Sequence, residues 1–129
     1  MEITPLYLTI IFFVALEIFE SNWQKSDTFA GVIKNNYQIY KKSIFLFILL
    51  NPTFIYTLYL SISMNNYSFL MNMIIILKFA DISFRLHLSR KIDNDEDISN
   101  LIPQDLEYNF VLRYINVVIY PISFYFSLL

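Results

Sequence analysis

Residues 68–88 read SFLMNMIIILKFADISFRLHL, an apolar run of membrane-spanning length that contains Lys78, Asp81 and Arg85. The three charges are spaced i, i+3 and i+7, so they share one face of a helix. A charged side chain costs about 2.5–3.5 kcal/mol at the centre of a membrane helix, so it usually has a partner or a function there. This segment therefore predicts a membrane protein with a polar interior.

The composition of the whole chain supports the same class. Hydrophobic residues make up 57% of the 129 residues, and charged residues make up 16%, whereas a soluble domain is about one quarter charged. Further apolar segments at 3–20, 44–64 and 108–129 bring the number of predicted spans to four. We predict an all-α polytopic membrane protein, a four-helix bundle that forms a single integral membrane domain over residues 1–129.

The polar segment 21–43 carries four of the lysines and separates the first two spans. Its apolar residues recur at helical spacing, which predicts an interfacial amphipathic helix near 28–40. Ser26 or Asp27 is suited to cap the start of this helix. The alternative is a solvated loop, and the helix is favoured.

Two features shape the second span. Asn51-Pro52 lies near its centre, and proline removes a backbone hydrogen bond there, so we predict a kink near Ile48–Pro52. The freed carbonyl should be satisfied by Asn51 or by a hydroxyl on a neighbouring helix. Residues 64–68 are a short uncharged turn, which predicts an antiparallel hairpin between spans two and three.

The distribution of Lys and Arg predicts the orientation. Segments 21–43 and 85–91 hold nearly all of them, while the 64–68 turn has none. The positive-inside rule then places loops 21–43 and 89–107 in the cytoplasm and both termini outside the cell membrane. Met1-Glu2 precedes the first apolar run without a basic region, so that run is predicted to be a retained helix and not a cleaved signal peptide.

Charged residues on three spans are predicted to reach similar depth in the inner leaflet. This intramembrane charge cluster contains three acids and three bases: Glu17, Glu20, Lys78, Asp81, Arg85 and Arg113. The balance favours a closed structural network, because no charge is left without a counter-charge. A proton or ion relay, or a polar ligand site, is the alternative. At least one of the two glutamates should contact Lys78, Arg85 or Arg113.

The fourth span carries a stripe of polar residues at alternating spacings of three and four. Its members are Asn109, Asn116, Tyr120 and Ser123, with Arg113 and Ser127 on the same face. Lipid cannot satisfy these groups, so the stripe should face other helices or water. Hydrogen bonding between helices is favoured over the lining of a polar pathway.

Several kinds of site are excluded or disfavoured. The chain has no cysteine and a single histidine, His87, so thiolate chemistry and bis-His haem ligation are excluded and we predict no metal or cofactor. Residues 93–104 begin like a calcium loop but carry Ile98 where the motif needs glycine and Gln104 where it needs glutamate. A net charge of −2 gives no support for nucleic-acid binding.

The function that these features favour is a non-enzymatic structural or accessory subunit of a membrane assembly. Its predicted partners are the lipid bilayer and either another membrane protein or further copies of this chain. The alternative is a small ion, proton or polar-solute transporter or channel that acts as an oligomer. An enzyme acting on lipid ranks third, because no nucleophile–His pair or phosphate-binding loop accompanies the carboxylates.

Overall fold

The structure, a computed structural model, describes residues 3–96 and 110–129, and these ranges are all-helical with no strand. The all-α prediction is therefore confirmed for the described residues. Their helices are α1 (Ile3–Gln24), α2 (Phe29–Lys42), α3 (Ile44–Leu49), α4 (Pro52–Ser63), α5 (Phe69–Asp93) and α6 (Phe110–Ser127). Most of the 93–104 calcium-loop comparison lies outside the described residues, as does Asn109.

One described helix, Pro5–Gln24, is long and apolar enough to cross a membrane, and Tyr114–Ser127 is a shorter apolar helix. A helix of this length and composition near the N-terminus is typical of a membrane span, of a soluble core helix or of a signal sequence. Helix α5 is longer, at 25 residues, but its charged residues lower its hydropathy.

The second apolar segment is broken into two helices at the predicted kink, so the bend there is a full interruption of the helix. Helix α3 ends before Asn51, and α4 starts at Pro52, which cannot donate a backbone hydrogen bond. Asn51 bridges the break: its backbone N–H donates to the carbonyl of Ile48 at 3.1 Å, and its Nδ2 donates to that of Phe47 at 2.8 Å. The predicted role of Asn51 as a local donor is confirmed.

A second donor at the break comes from another helix. The indole Nε1 of Trp23, near the end of α1, donates to the carbonyl of Leu50 at 2.8 Å. The sequence pattern did not indicate this bond. Because an unpaired buried carbonyl is costly, the indole fixes the position of the break against α1.

Helix α2 confirms the helix predicted near 28–40 and corrects its cap. Thr28, and not Ser26 or Asp27, is the N-cap, and its side chain accepts from the backbone N–H of Gly31 at 3.1 Å. At the other end Ser43 has extended backbone angles and separates α2 from α3. The two helices are therefore not continuous.

The turn at 64–68 joins α4 to α5 as the predicted hairpin, and the two helices pack against each other. Asn65 adopts a left-handed conformation (φ 49°), which asparagine tolerates better than most residues. Asn66 donates from Nδ2 to the hydroxyl of Ser127 at 2.9 Å. This bond places the turn and the C-terminal end of α6 at the same end of the molecule.

Helix α1 contacts α4 and α6, and α5 contacts the same two helices. Their shared apolar core consists of Phe13, Leu60, Met71, Ile74, Tyr120 and Phe124. Helix α2 instead packs on the last turns of α5, where Ile33 meets Leu88. The predicted surface helix thus buries part of its apolar face against protein.

Candidate functional site

Helix α1 carries two acidic residues into the interior of the molecule. Glu17 is 2% exposed and Glu20 is 7% exposed. They lie three residues apart, so they project from the same face, toward α4 and α5. Two carboxylates at this depth require partners, because an isolated buried charge is strongly unfavourable.

Lys78 on α5 is the partner of Glu17, and the two form a buried ion pair. The lysine is itself only 5% exposed. Its Nζ lies 4.0 Å from the centroid of the Tyr120 ring, a cation–π contact from α6. The contact between a glutamate of α1 and Lys78 is one of those that the sequence predicted.

Glu20 binds the buried first turn of α4. Thr53, in the first turn after Pro52, donates its hydroxyl to one carboxylate oxygen and its backbone N–H to the other, the latter at 3.4 Å. A helix N-terminus has free N–H groups and a partial positive charge, so it stabilises a carboxylate. The break in the second segment therefore creates the binding partner of Glu20.

The same threonine links the two carboxylates. Lys78 donates from Nζ to Oγ1 of Thr53 at 2.8 Å, in addition to its ion pair with Glu17. The hydrogen-bonded chain therefore runs from Glu17 through Lys78 and Thr53 to Glu20. It joins α1, α4 and α5 at the level of the helix break.

Arg85 organises the adjoining part of the network. It pairs with Asp81 on its own helix at 2.9 Å and donates to Gln24 at 2.8 Å and to Asn36 at 2.9 Å. Asn36 on α2 is fully buried and is held by a bond to the carbonyl of Val32. Arg85 thereby connects α1, α2 and α5, and Asp81, with its side chain 49% exposed, marks the edge of the network.

Two small cavities adjoin the network. One of about 30 Å³ is bordered by the residues of the hydrogen-bonded chain and by Arg85. The other, of about 70 Å³, extends beneath α2 toward Phe29 and Ile33. They share five lining residues: Ser21, Gln24, Asp81, Arg85 and Asn116.

The structure brings together five of the six predicted cluster residues: Glu17, Glu20, Lys78, Asp81 and Arg85. The side chain of Arg113 lies outside the described residues. The predicted polar stripe divides along α6: Asn116 borders both cavities and Tyr120 covers Lys78. Ser127 bonds with Asn66 at the opposite end, and Ser123, half-buried, borders neither cavity.

Four participants were not predicted: Trp23, Gln24, Asn36 and Thr53. The role of Thr53 could have been predicted from the sequence, because it directly follows a proline. A helix that starts at proline has backbone N–H groups in its first turn without partners in the helix. Gln24 and Asn36 lie in the polar segment, where nothing in the spacing separates buried amides from solvated ones. Within the described ranges, no group of three or more His, Cys, Asp and Glu side chains is placed to hold a metal ion.

No family model, curated protein or solved structure matches the chain. A function is therefore assigned from the buried network and from the distribution of polar and apolar residues.

Proposed function

We propose that the chain is a four-span integral membrane protein, a bundle of α1, the α3–α4 pair, α5 and α6. The observation that carries this proposal is an inverted distribution of polarity. Four charged residues are buried, whereas large apolar side chains such as Phe45 and Phe69, each 77% exposed, cover the outside. Soluble monomers rarely expose large contiguous apolar surfaces, because water makes such exposure unfavourable.

The lengths of the helices support four crossings. Helix α1 has 22 residues, α5 has 25 and α6 has 18, and the α3–α4 pair extends over residues 44–63. A bilayer core of about 30 Å needs roughly 20 residues. Only 22% of the apolar stretch of α1 is buried within the molecule. This fraction is low for the core helix of a soluble protein. In α5 the charged Lys78 and Arg85 turn inward, so the side facing lipid stays largely apolar.

Within the membrane, the chain is proposed to be a non-enzymatic structural or accessory subunit. The four buried charges are two acids and two bases, Glu17 and Glu20 against Lys78 and Arg85. Each has a hydrogen-bonding partner in a different helix. A charge-balanced network that joins several helices in this way fixes their rotation and depth.

An apolar groove of about 270 Å³ between the α3–α4 break and α5 supports the need for a partner. Asn51 and Ser83 border it, and Oδ1 of Asn51 is buried without a hydrogen-bond donor among the described residues. Acyl chains have no donor to offer, whereas a helix carrying a hydroxyl, amide or indole has one. The proposed occupant is therefore a transmembrane helix of another subunit that donates to Asn51.

Mild detergent extraction followed by mass measurement of the purified complex tests this proposal. Ser83→Trp fills the groove and should release a stoichiometric partner, while Ser63→Trp, an exposed site on α4 away from the groove, should retain it. Loss of the partner from Ser83→Trp alone supports the proposal. A monomer with bound lipid only, or a complex that both variants retain, contradicts it, and a homo-oligomer identifies the donor helix as one from a second copy.

A small transporter or channel is the second candidate, and one observation favours it. The cavities reach from half-exposed Asp81 to the buried Glu17 and Lys78, so polar space penetrates the interior from one side. Purified protein in sealed vesicles should then carry protons or common ions down an imposed gradient. The absence of any flux above that of protein-free vesicles would remove this candidate.

A further inference from the structure

We propose that the two cavities beside Arg85 form one hydrated crevice that opens at Asp81 and binds ordered water. Through this crevice the Glu17–Lys78 ion pair is in contact with one aqueous phase only, the phase on the side of α2. This inference rests on the four-span placement proposed above. The proposed site lies inside the protein, and its ligand is water.

The first support is an unmatched donor. Arg85 borders both cavities and is 6% exposed, yet its Nε has no hydrogen-bond acceptor among the described residues. The other guanidinium nitrogens are occupied by Asp81, Gln24 and Asn36. A buried charged donor without an acceptor is costly, so its acceptor is expected to come from a bound molecule.

The second support is the chemistry of the lining. Ser21 and Asn116 border both cavities, and no described residue forms a hydrogen bond with the side chain of either. A hydroxyl, an amide and the free Nε offer donors and acceptors together, as water requires. Arg85 and Lys78 disfavour a cation in this space, and the three carboxylates that border it disfavour an anion.

The volumes are sufficient for water. A cavity needs about 10–15 Å³ of such space to hold one water molecule, provided that polar groups line it. The cavities of about 30 and 70 Å³ therefore accommodate a few waters in all. Such waters would bond to Arg85, Ser21 and Asn116.

Two aromatic rings cover Lys78 on the side away from α2. The Lys78 Nζ is covered by Tyr120 and lies 5.8 Å from the centroid of the Phe13 ring. Beyond these rings lies the apolar core with Met71 and Phe124. Water therefore reaches the ion network from the α2 side and stops at this aromatic layer.

Because the chain has no native cysteine, single cysteines can test the proposal directly. Ser21→Cys and Asn116→Cys place a thiol in the crevice. Matched controls on the same helices, Ile18→Cys and Val118→Cys, replace residues that are 40% and 55% exposed on the outer, lipid-facing surface. All four are small substitutions, and a monodisperse elution profile identifies those that fold.

The probe is a charged, membrane-impermeant thiosulfonate applied to cells and to inverted membrane vesicles. It reacts with thiolates, which form in water and not in hydrocarbon. We expect both crevice cysteines to react at least about tenfold faster than the controls, and only from the side of α2. Adding Asn116→Leu to the Ser21→Cys variant should slow its labelling, because leucine fills the crevice.

The outcomes separate this inference from the proposed function. If neither the crevice cysteines nor the controls react, the cavities are dry, and the inference is overturned while the membrane placement stands. If the controls react as fast as the crevice cysteines, the helices are exposed to water and the membrane proposal fails. Equal labelling from both sides would replace the one-sided crevice with a continuous pore.

Discussion

Lys78 is the residue on which the buried network depends most directly, because it neutralises Glu17 and also binds the threonine that holds Glu20. Its side chain could reach both only because the helix break places Thr53 beside the ion pair. A lysine here acts as a connector between two acids of α1. Its loss is therefore expected to affect more than one bond.

Lys78→Met should destabilise the protein by about 3–5 kcal/mol, because it leaves Glu17 buried without a counter-charge. Combining it with Glu17→Gln should recover part of that loss, since no uncompensated charge then remains. The free energy of unfolding in mixed micelles, measured for both single variants and the double variant, provides the thermodynamic cycle. Additive effects would contradict the buried pair. Asp81→Asn is the control, with an expected cost of at most about 1 kcal/mol, because Asp81 is half exposed.

Thr53→Val keeps the shape of the side chain but removes the hydroxyl between Lys78 and Glu20. We expect it to cost about 1–3 kcal/mol, because a buried carboxylate loses a donor and a buried ammonium loses an acceptor. Thr53→Ser retains the hydroxyl and should behave nearly as the unmodified chain in the same unfolding measurement. Equal destabilisation by Val and Ser would assign the effect to packing of the methyl group.

At the scale of the elements, Pro52 causes the break between α3 and α4, and the helix start that follows it binds Glu20. Pro52 ends the hydrogen-bonding pattern of the helix, and in the first turn of α4 the backbone N–H and the hydroxyl of Thr53 donate to Glu20. The released carbonyls are satisfied by Asn51 and by Trp23 from α1. Helix α1 therefore supplies both the acid and the donor that stabilise the broken segment.

Trp23→Phe tests this dependence. Phenylalanine retains most of the aromatic packing but cannot donate to the carbonyl of Leu50. The expected cost is about 1–3 kcal/mol in the unfolding measurement, since a buried acceptor is left unpaired. Trp23→His, which restores a ring N–H, should recover part of the stability, and a Trp23→Phe variant as stable as the unmodified chain would show that the indole bond is unimportant.

At the scale of the whole molecule, the distribution of polar and apolar residues is the basis for the proposed membrane environment. The buried residues include four charges, and the exposed ones include large apolar side chains on α1, α4, α5 and α6. The lysines of α2 and the Arg90–Lys91 pair lie at the end opposite the 64–68 turn. The proposed orientation follows from this asymmetry through the positive-inside rule.

The orientation predicts which single cysteines are reached from outside intact cells. Asn65→Cys, on the exposed turn, should be labelled by an impermeant reagent, whereas Lys34→Cys should be labelled only after permeabilisation. Asn65 is preferred over Asn66 because Asn66 is 9% exposed and bonds to Ser127. Labelling of Lys34→Cys in intact cells, with Asn65→Cys protected, would invert the topology.

The sequence alone determined the apolar segments, the interruption at Pro52, the helix near 28–40 and the hairpin at 64–68. These features are local: they follow from hydrophobic periodicity, from a missing N–H and from a short uncharged turn. The common face of Lys78, Asp81 and Arg85 followed in the same way from helical geometry. The sequence predicted that a glutamate of α1 would contact a base, but Lys78 of α5 was one of three candidates.

The tertiary structure decided which groups pair and which residues assist them. The pairing of Glu17 with Lys78, the binding of Glu20 at Thr53 and the recruitment of Asn36 by Arg85 depend on how far each helix is rotated and shifted. Rotation and depth are set by packing between helices, and one residue's difference in register turns a side chain by about 100°. Local sequence patterns contain no information about how the helices are rotated and shifted relative to one another. Only the assembled helices therefore determine the network and the crevice beside it.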